Sequence, residues 1–291
     1  MEELMTSITR PTSPALDEIL GQKFPVLDHG FVRVVDYMGN DDSIVQAARV
    51  SYGGGTKTPQ EDANLIRYLM RHRHTSVFEA CEIKLHVKLP IFVARQWIRH
   101  RTASVNEVSG RYSVLPEEYY VPEEENILPQ SNTNKQGREE GAKIMTSNAE
   151  VRELMDRGGT EAFEFYNAFL EIGIARELSR IVLPVSTYTE WYWKIDLHNL
   201  FHFLKLRMDP HAQWEIRQYA EEIFKLVKLW VPVAAQAWLD YQYNSLTLSA
   251  KAARLIARKL AGEPIEHSIS GLSNRELQEL EAQLDKAKDK S

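Results

Sequence analysis

From Cys81 to Leu89 the chain alternates without a break. Cys81, Ile83, Leu85, Val87 and Leu89 are apolar, and Glu82, Lys84, His86 and Lys88 are polar. A period of two predicts a strand with one buried face. Pro90 stops it and suits the first turn of a helix carrying Phe92, Val93 and Trp97. The β-branched run Val32, Val34 and Val35 predicts an earlier strand from Phe31 to Asp36. Asp41-Asp42-Ser43 then offers caps for a helix through Ile44, Ala47 and Ala48. Between Asp62 and Arg71, Leu65, Ile66 and Leu69 recur at helical spacing.

The second half repeats these signals. Thr187–Ile195 is rich in Thr, Tyr and Trp and predicts a second good strand. Asp196 caps a helix that runs to Met208 and stops at Asp209-Pro210. Further helices are expected over about 149–173 (broken at Gly158-Gly159), 175–183, 212–230 and 233–243. Residues 116–148 are polar and Pro-containing and predict a long surface loop. The expected organisation is a loosely attached leader (1–24), a main domain (25–248) and a charged helical extension (249–291). In that extension Ser273 and Glu276 form a capping box ahead of Leu277, Leu280 and Leu284. The fold class is α+β, a mixed α/β core with a central antiparallel sheet flanked by long helices.

Composition narrows the functional classes. The chain has 291 residues, 43% hydrophobic and 26% charged, enough for a sizeable core. Thirty-five Lys+Arg stand against 41 Asp+Glu, a net charge of −6. That balance excludes both a globally basic nucleic-acid coat and a highly acidic disordered chain. The longest uncharged run, Leu229–Leu239, falls short of the roughly 20 residues that cross a bilayer. Met1-Glu2-Glu3 shows no basic-then-apolar pattern, so no secretory signal is expected. A cytoplasmic protein with neither membrane nor nucleic acid as partner is the expectation. Cys81 is the only cysteine, which excludes an intrachain disulfide and a four-cysteine zinc site. Its parity places it on the buried face, where a thiol is inert.

Against this acidic background Arg95–Arg111 stands out. It reads RQWIRHRTASVNEVSGR, with four arginines and His100 against one acid, Glu107. Excess positive charge beside Ser104, Asn106, Ser109 and Gly110 suits a phosphate-bearing ligand. A solvated basic turn paired with the acidic residues of 117–125 suits it equally, and spacing alone does not choose. A nucleic-acid patch with Trp97 and Tyr112 as stacking groups is a third reading. Arg176 and Arg180 lie four apart, as on one helix face, and Arg207 falls in the last turn of the helix beginning at Asp196. A cation there also complements the helix dipole, for roughly 0.3–1 kcal/mol. His198 and His202 share a face but lack the intervening Glu of a zinc pair, and no metal is expected. Gly53–Thr58 lacks phosphate-loop order and predicts a turn. Ser109 has no adjacent base and suits hydrogen bonding better than nucleophilic attack.

Arg99-His100-Arg101, seven residues and then Ser109 resemble the signature of the flavin-dependent thymidylate synthases. AARVSY (47–52), HTSVFE (74–79), PIFVARQWIRHRTASVNEVSGRYS (90–113), ARELSRIVLP (175–184) and LRMDPHAQWEI (206–216) are similar to that family in the family's order. The resemblance implies an enzyme that makes dTMP from dUMP, with carbon from methylenetetrahydrofolate and hydride from FAD reduced by NADPH. It also implies a homotetramer with active sites between subunits and no cysteine nucleophile. Carried over by position, Ser76, Arg99, His100, Arg101 and Glu107 resemble flavin-binding residues, with Ser51, Glu79 and Asn106 as weaker candidates. Asp196, Leu197, His198 and His202 also fall at flavin contacts, although an acid at 196 cannot donate to a flavin carbonyl unless protonated. Gln96, Trp97, Ile98, Arg99, Glu107, Val108, Ser109, Gly110, Arg111 and Arg180 match the dUMP-binding positions. Arg207 matches both a dUMP contact and the residue that activates the pyrimidine.

Overall fold

The alternation of 81–89 builds the middle of the molecule. The computed structural model describes residues 10–50, 58–132, 137–138, 144–262 and 271–288. Ser51, residues 53–57 of the glycine-rich turn and residues 1–9 of the expected leader lie outside them. Among the described residues five strands form one sheet: β1 (Lys23–Val26), β2 (Gly30–Met38), β3 (Glu82–Pro90), β4 (Ser104–Glu107) and β5 (Tyr188–Asp196). Their order is β1-β2-β3-β5-β4, and every pairing is antiparallel. The sheet class is therefore as the sequence predicts; β1 and β4 are additions to it.

The helices are α1 (Pro14–Asp17), α2 (Asp41–Arg49), α3 (Pro59–Arg71), α4 (Ser76–Glu79), α5 (Ile91–Trp97) and α6 (Asn148–Glu171). They continue with α7 (Arg176–Ser179), α8 (Leu197–Arg207), α9 (Trp214–Trp230) and α10 (Pro232–Trp238). Residues opposite one another in an antiparallel pair share a face. The register therefore puts Val32, Val87 and Trp191 on one side, together with Val34, Leu85 and Trp193. All six are buried, and α5, α8 and α9 cover them. Trp97 of α5 is fully buried there, 5.1 Å from the Trp193 ring and 4.6 Å from Phe203. Each such side chain contributes about 1.5–3 kcal/mol by leaving water.

Four local expectations change. α2 is capped by Asn40, whose side chain accepts from the Ser43 N–H while Ser43 Oγ accepts from the Asn40 N–H. α3 begins earlier than Asp62, because Thr58 and Glu61 form a capping box and Pro59 suits the first turn. Residues 10–22 are attached firmly: Leu16 is fully buried and the Tyr37 hydroxyl donates to Asp17 at 2.6 Å. Finally, α6 runs through Gly158-Gly159 unbroken.

That glycine pair has unequal parts. A Cβ on Gly159 would stand 2.3 Å from the Tyr119 ring, whereas one on Gly158 meets nothing within 4 Å. The Tyr119 hydroxyl is fixed over the helix by Asp156 and Thr160, so the ring has no room to retreat. Gly159→Ala is expected to lower stability by about 1–3 kcal/mol through overpacking. Gly158→Ala should raise it by about 0.5–1 kcal/mol, the helix-propensity gain. Denaturant melts of the two variants check this; equal midpoints would contradict it.

The structure divides into two compact units, up to Trp238 and from Leu239 onward. The second holds a π-type turn at Leu239–Tyr243 and helices α11 (Ala250–Leu260) and α12 (Asn274–Lys288). Its core is Ala252, Leu255, Leu277 and Leu280, flanked by Ile256, Leu272 and Leu284. The capping box forms as predicted, with the Ser273 N–H donating to Glu276 at 2.7 Å. Among the described residues no helix is long and apolar enough to cross a membrane.

Candidate functional site

Two junctions without loops place the central groups. Pro90 ends β3 and caps α5, while Asp196 ends β5 and caps α8. Because β3 and β5 are antiparallel, these helices leave from opposite ends of the sheet. At 1.5 Å per residue α5 and α8 together span about 27 Å. Their nine-residue strands span about 30 Å. The helices consequently meet by their C-terminal ends, and the side chains there converge.

Arg207, in the last turn of α8, donates from Nε to His100 Nε2 at 3.1 Å and from Nη2 to the Gln96 carbonyl at 3.4 Å. The Gln96 carbonyl is one of the carbonyls that a helix C-terminus leaves unpaired. Two C-termini together make a negative local field that favours cations. His100 is half-buried, with the Phe203 ring edge-on at 5.0 Å and His202 at 5.8 Å. Burial, then Arg207 and His202, hold its pKa down at about 4, so it is neutral and can accept a proton-bearing donor. Burial also lowers the Arg207 pKa; a guanidinium remains charged regardless. The Gln96 side chain reaches Gln213.

Around this pair lie cations without partners. Arg95, Arg99 and Arg101 are exposed and make no ion pair or hydrogen bond among the described residues. The alternative pairing of this segment with the acids of 117–125 is therefore absent from the described residues. Ile98 is also exposed. Ser76, at the start of α4, is exposed, and α4 packs on α8. Glu79 closes α4 and is exposed. His202 is exposed on α8 and His198 is partly so.

A second group forms at the end of β4 and in the turn that follows it. Glu107 Oε1 accepts from the Thr189 hydroxyl at 2.7 Å, and the Val108 N–H donates to the Glu190 carbonyl. Asn106 precedes them on the exposed edge strand. Ser109 turns the chain, accepting from the Tyr112 and Arg111 N–H groups at its carbonyl and hydroxyl. Gly110 is buried where a Cβ would press on Leu115 and the Arg180 stem. Arg111 pairs with Glu177, and Arg176 donates to the Tyr112 carbonyl. The exposed Arg180 has no ionic partner among the described residues. It lies in the 3₁₀ turn that follows α7, so the expected shared helix face with Arg176 ends at Ser179. Arg111, Tyr112 and Arg176 line a cleft of about 500 Å³. Glu107 and Val108 border another of about 450 Å³, with His86, Glu190 and Tyr192.

Two predicted side chains are buried and a third is engaged within the chain. Trp97 and Leu197 are fully buried. Asp196, partly exposed, accepts from the Asn199 N–H at 2.9 Å and from its Nδ2 at 2.8 Å. The capping role, legible from the sequence, accounts for an acid at 196. The partners Glu177, Thr189 and Gln213 went unrecognised; their distance along the chain leaves no local signal. Cys81 is buried, and burial together with Asp41 pushes its thiol up to about 12. Among the described residues no cluster of His, Cys, Asp and Glu is suited to a metal.

Exposed arginines without counter-ions among the described residues stand beside a guanidinium anchored on one edge, an arrangement suited to an anionic, planar ligand. The family model for thymidylate synthase complementing protein matches residues 33–233. A Gluconobacter oxydans protein named flavin-dependent thymidylate synthase is 55% identical over 282 residues, covering 96% of this chain and 93% of that protein. A Rickettsia bellii protein of the same name is 51% identical, covering 93% and 96%. The crystal structure of the UMP/dUMP methylase PolB from Streptomyces cacaoi, bound with 5-Br dUMP, is 33% identical with a TM-score of 0.66. That match covers 76% of this chain and 99% of the other. The chain is thus an enzyme of the methyltransferase class. It belongs to the flavin-dependent thymidylate synthase family.

Proposed function

We propose that the chain converts dUMP to dTMP by reductive methylation, with methylenetetrahydrofolate as carbon donor and FAD, reduced by NADPH, as hydride carrier. The observation that carries this reading is the cluster of partnerless arginines around the Arg207–His100 pair in a protein of net charge −6. The donor set fits the flavin: Arg99 and Arg101 suit its phosphates, and Ser76 and His202 are exposed donors for its edge. When bound, FAD supplies the hydride that completes the methyl group.

The chain's own residues do the rest. Ser109, Arg111 and Arg180 suit the nucleotide phosphate. Arg207 has Nε and one Nη2 proton engaged, which leaves its Nη1 donors for the O2/N3 edge of a uracil. Positive charge there stabilises negative charge that develops on the O2/N3 edge as electron density shifts through the ring, so that C5 becomes more nucleophilic without sulfur attack at C6. The buried Cys81 thiol agrees with that chemistry. Apolar side chains exposed beside both groups, Ile98, Tyr112, Leu178 and Ile181, suit contact with other copies of the chain, which the homotetramer implied by the resemblance would supply.

The test is an absorbance spectrum of the purified protein, followed by NADPH oxidation with and without dUMP. Flavin absorbance and dUMP-dependent dTMP formation are expected. A colourless protein that binds single-stranded nucleic acid with steep salt dependence would overturn the reading. UMP should be run beside dUMP, because a related structure was solved with 5-Br UMP bound, at 35% identity and a TM-score of 0.67.

A further inference from the structure

We infer that His100 is a positioning residue for Arg207: its Nε2 accepts the Arg207 Nε–H and aims the guanidinium fork toward the pyrimidine. This rests on the role given above to Arg207. The resemblance groups His100 with the flavin contacts, yet the ring's Nε2 is committed at 3.1 Å to a side chain 107 residues away.

Geometry gives the contact its direction. Arg207 has five N–H donors and no acceptor, so the histidine must be the acceptor, neutral and protonated on Nδ1. A charged imidazolium would repel the guanidinium instead, and the half-buried setting disfavours it. The ring itself is held edge-on against Phe203, one helical turn before Arg207 on α8. The ionisable or charged groups that face it are Arg207 and His202. The Gln96 carbonyl takes a second proton of the fork, from Nη2. Two anchors, one from the chain just after α5 and one from α5 itself, thus restrict rotation about the last bonds of a long side chain. Such restriction matters because a donor stabilises developing charge only if it needs no reorganisation at the moment of reaction.

A pair of variants separates this from flavin contact. His100→Phe keeps a ring against Phe203 but offers no acceptor; His100→Gln offers an acceptor without the ring. His100→Phe should lower dUMP-dependent turnover at saturating dUMP by about 10- to 100-fold. Bound flavin and dUMP affinity, measured by absorbance and equilibrium titration, should stay within about threefold. His100→Gln should restore most of the lost turnover. In an Arg207→Ala background, His100→Phe should cost nothing further, as expected of a residue acting only through the guanidinium. Loss of flavin in His100→Phe, equal rates in both variants, or an additive loss in the double variant would overturn the inference. That last measurement stands even if His100→Gln folds poorly. Normal turnover in Arg207→Ala itself would instead remove the role of Arg207.

Discussion

Arg207→Ala is expected to lower dUMP-dependent turnover by about 10²–10³-fold while the protein keeps its flavin. The asymmetry follows from where the side chain is held. Its Nε and one Nη2 proton are spent on His100 and the Gln96 carbonyl, so what it offers a substrate is one remaining edge. Removing that edge takes away charge stabilisation at the pyrimidine but none of the exposed cations, Arg99 and Arg101, assigned to the flavin phosphates. Single-turnover methyl transfer, with flavin content read from the spectrum, makes the comparison. Methyl transfer near the normal rate would mean that the pyrimidine is activated by another group.

Arg99→Ala should act on binding instead. Arg99 is exposed and has no protein partner among the described residues, so no structural ion pair is lost with it. A charge-assisted hydrogen bond to phosphate is worth about 1.5–3 kcal/mol. Affinity for flavin or for dUMP should therefore fall by about one to two orders of magnitude, with little change in melting temperature. Unchanged yellow colour together with unchanged dUMP affinity would contradict the assignment.

Much of the scaffold was legible because its signals are local. The alternation of 81–89 reads directly onto β3, with Cys81, Ile83, Leu85, Val87 and Leu89 all buried. Asp196 and Ser273 were recognisable as caps, since a cap and its partner lie within one turn. β4 was not recognisable: Ser104–Glu107 is short, polar and exposed, and only pairing with β5 makes it a strand. Gly158-Gly159 misled for a related reason, because Tyr119, about 40 residues upstream, decides what Gly159 is for. Among site residues, the resemblance placed Arg207 at the pyrimidine and His100 at the flavin without joining them. Their contact depends on the lengths of two helices and two strands taken together. Trp97 and Leu197 were carried over from the resemblance by position, and their side chains are buried in the core.

The direct strand-to-helix joints at Pro90 and Asp196 carry a consequence for how this architecture can vary. One residue added between Ile195 and Leu197 would turn the following helix by roughly 100° and advance it by about 1.5 Å. The guanidinium at its far end would then point elsewhere, with every residue identity preserved. Spacing at these two junctures is thus a determinant of activity in its own right, and insertions should be tolerated better in exposed loops away from them.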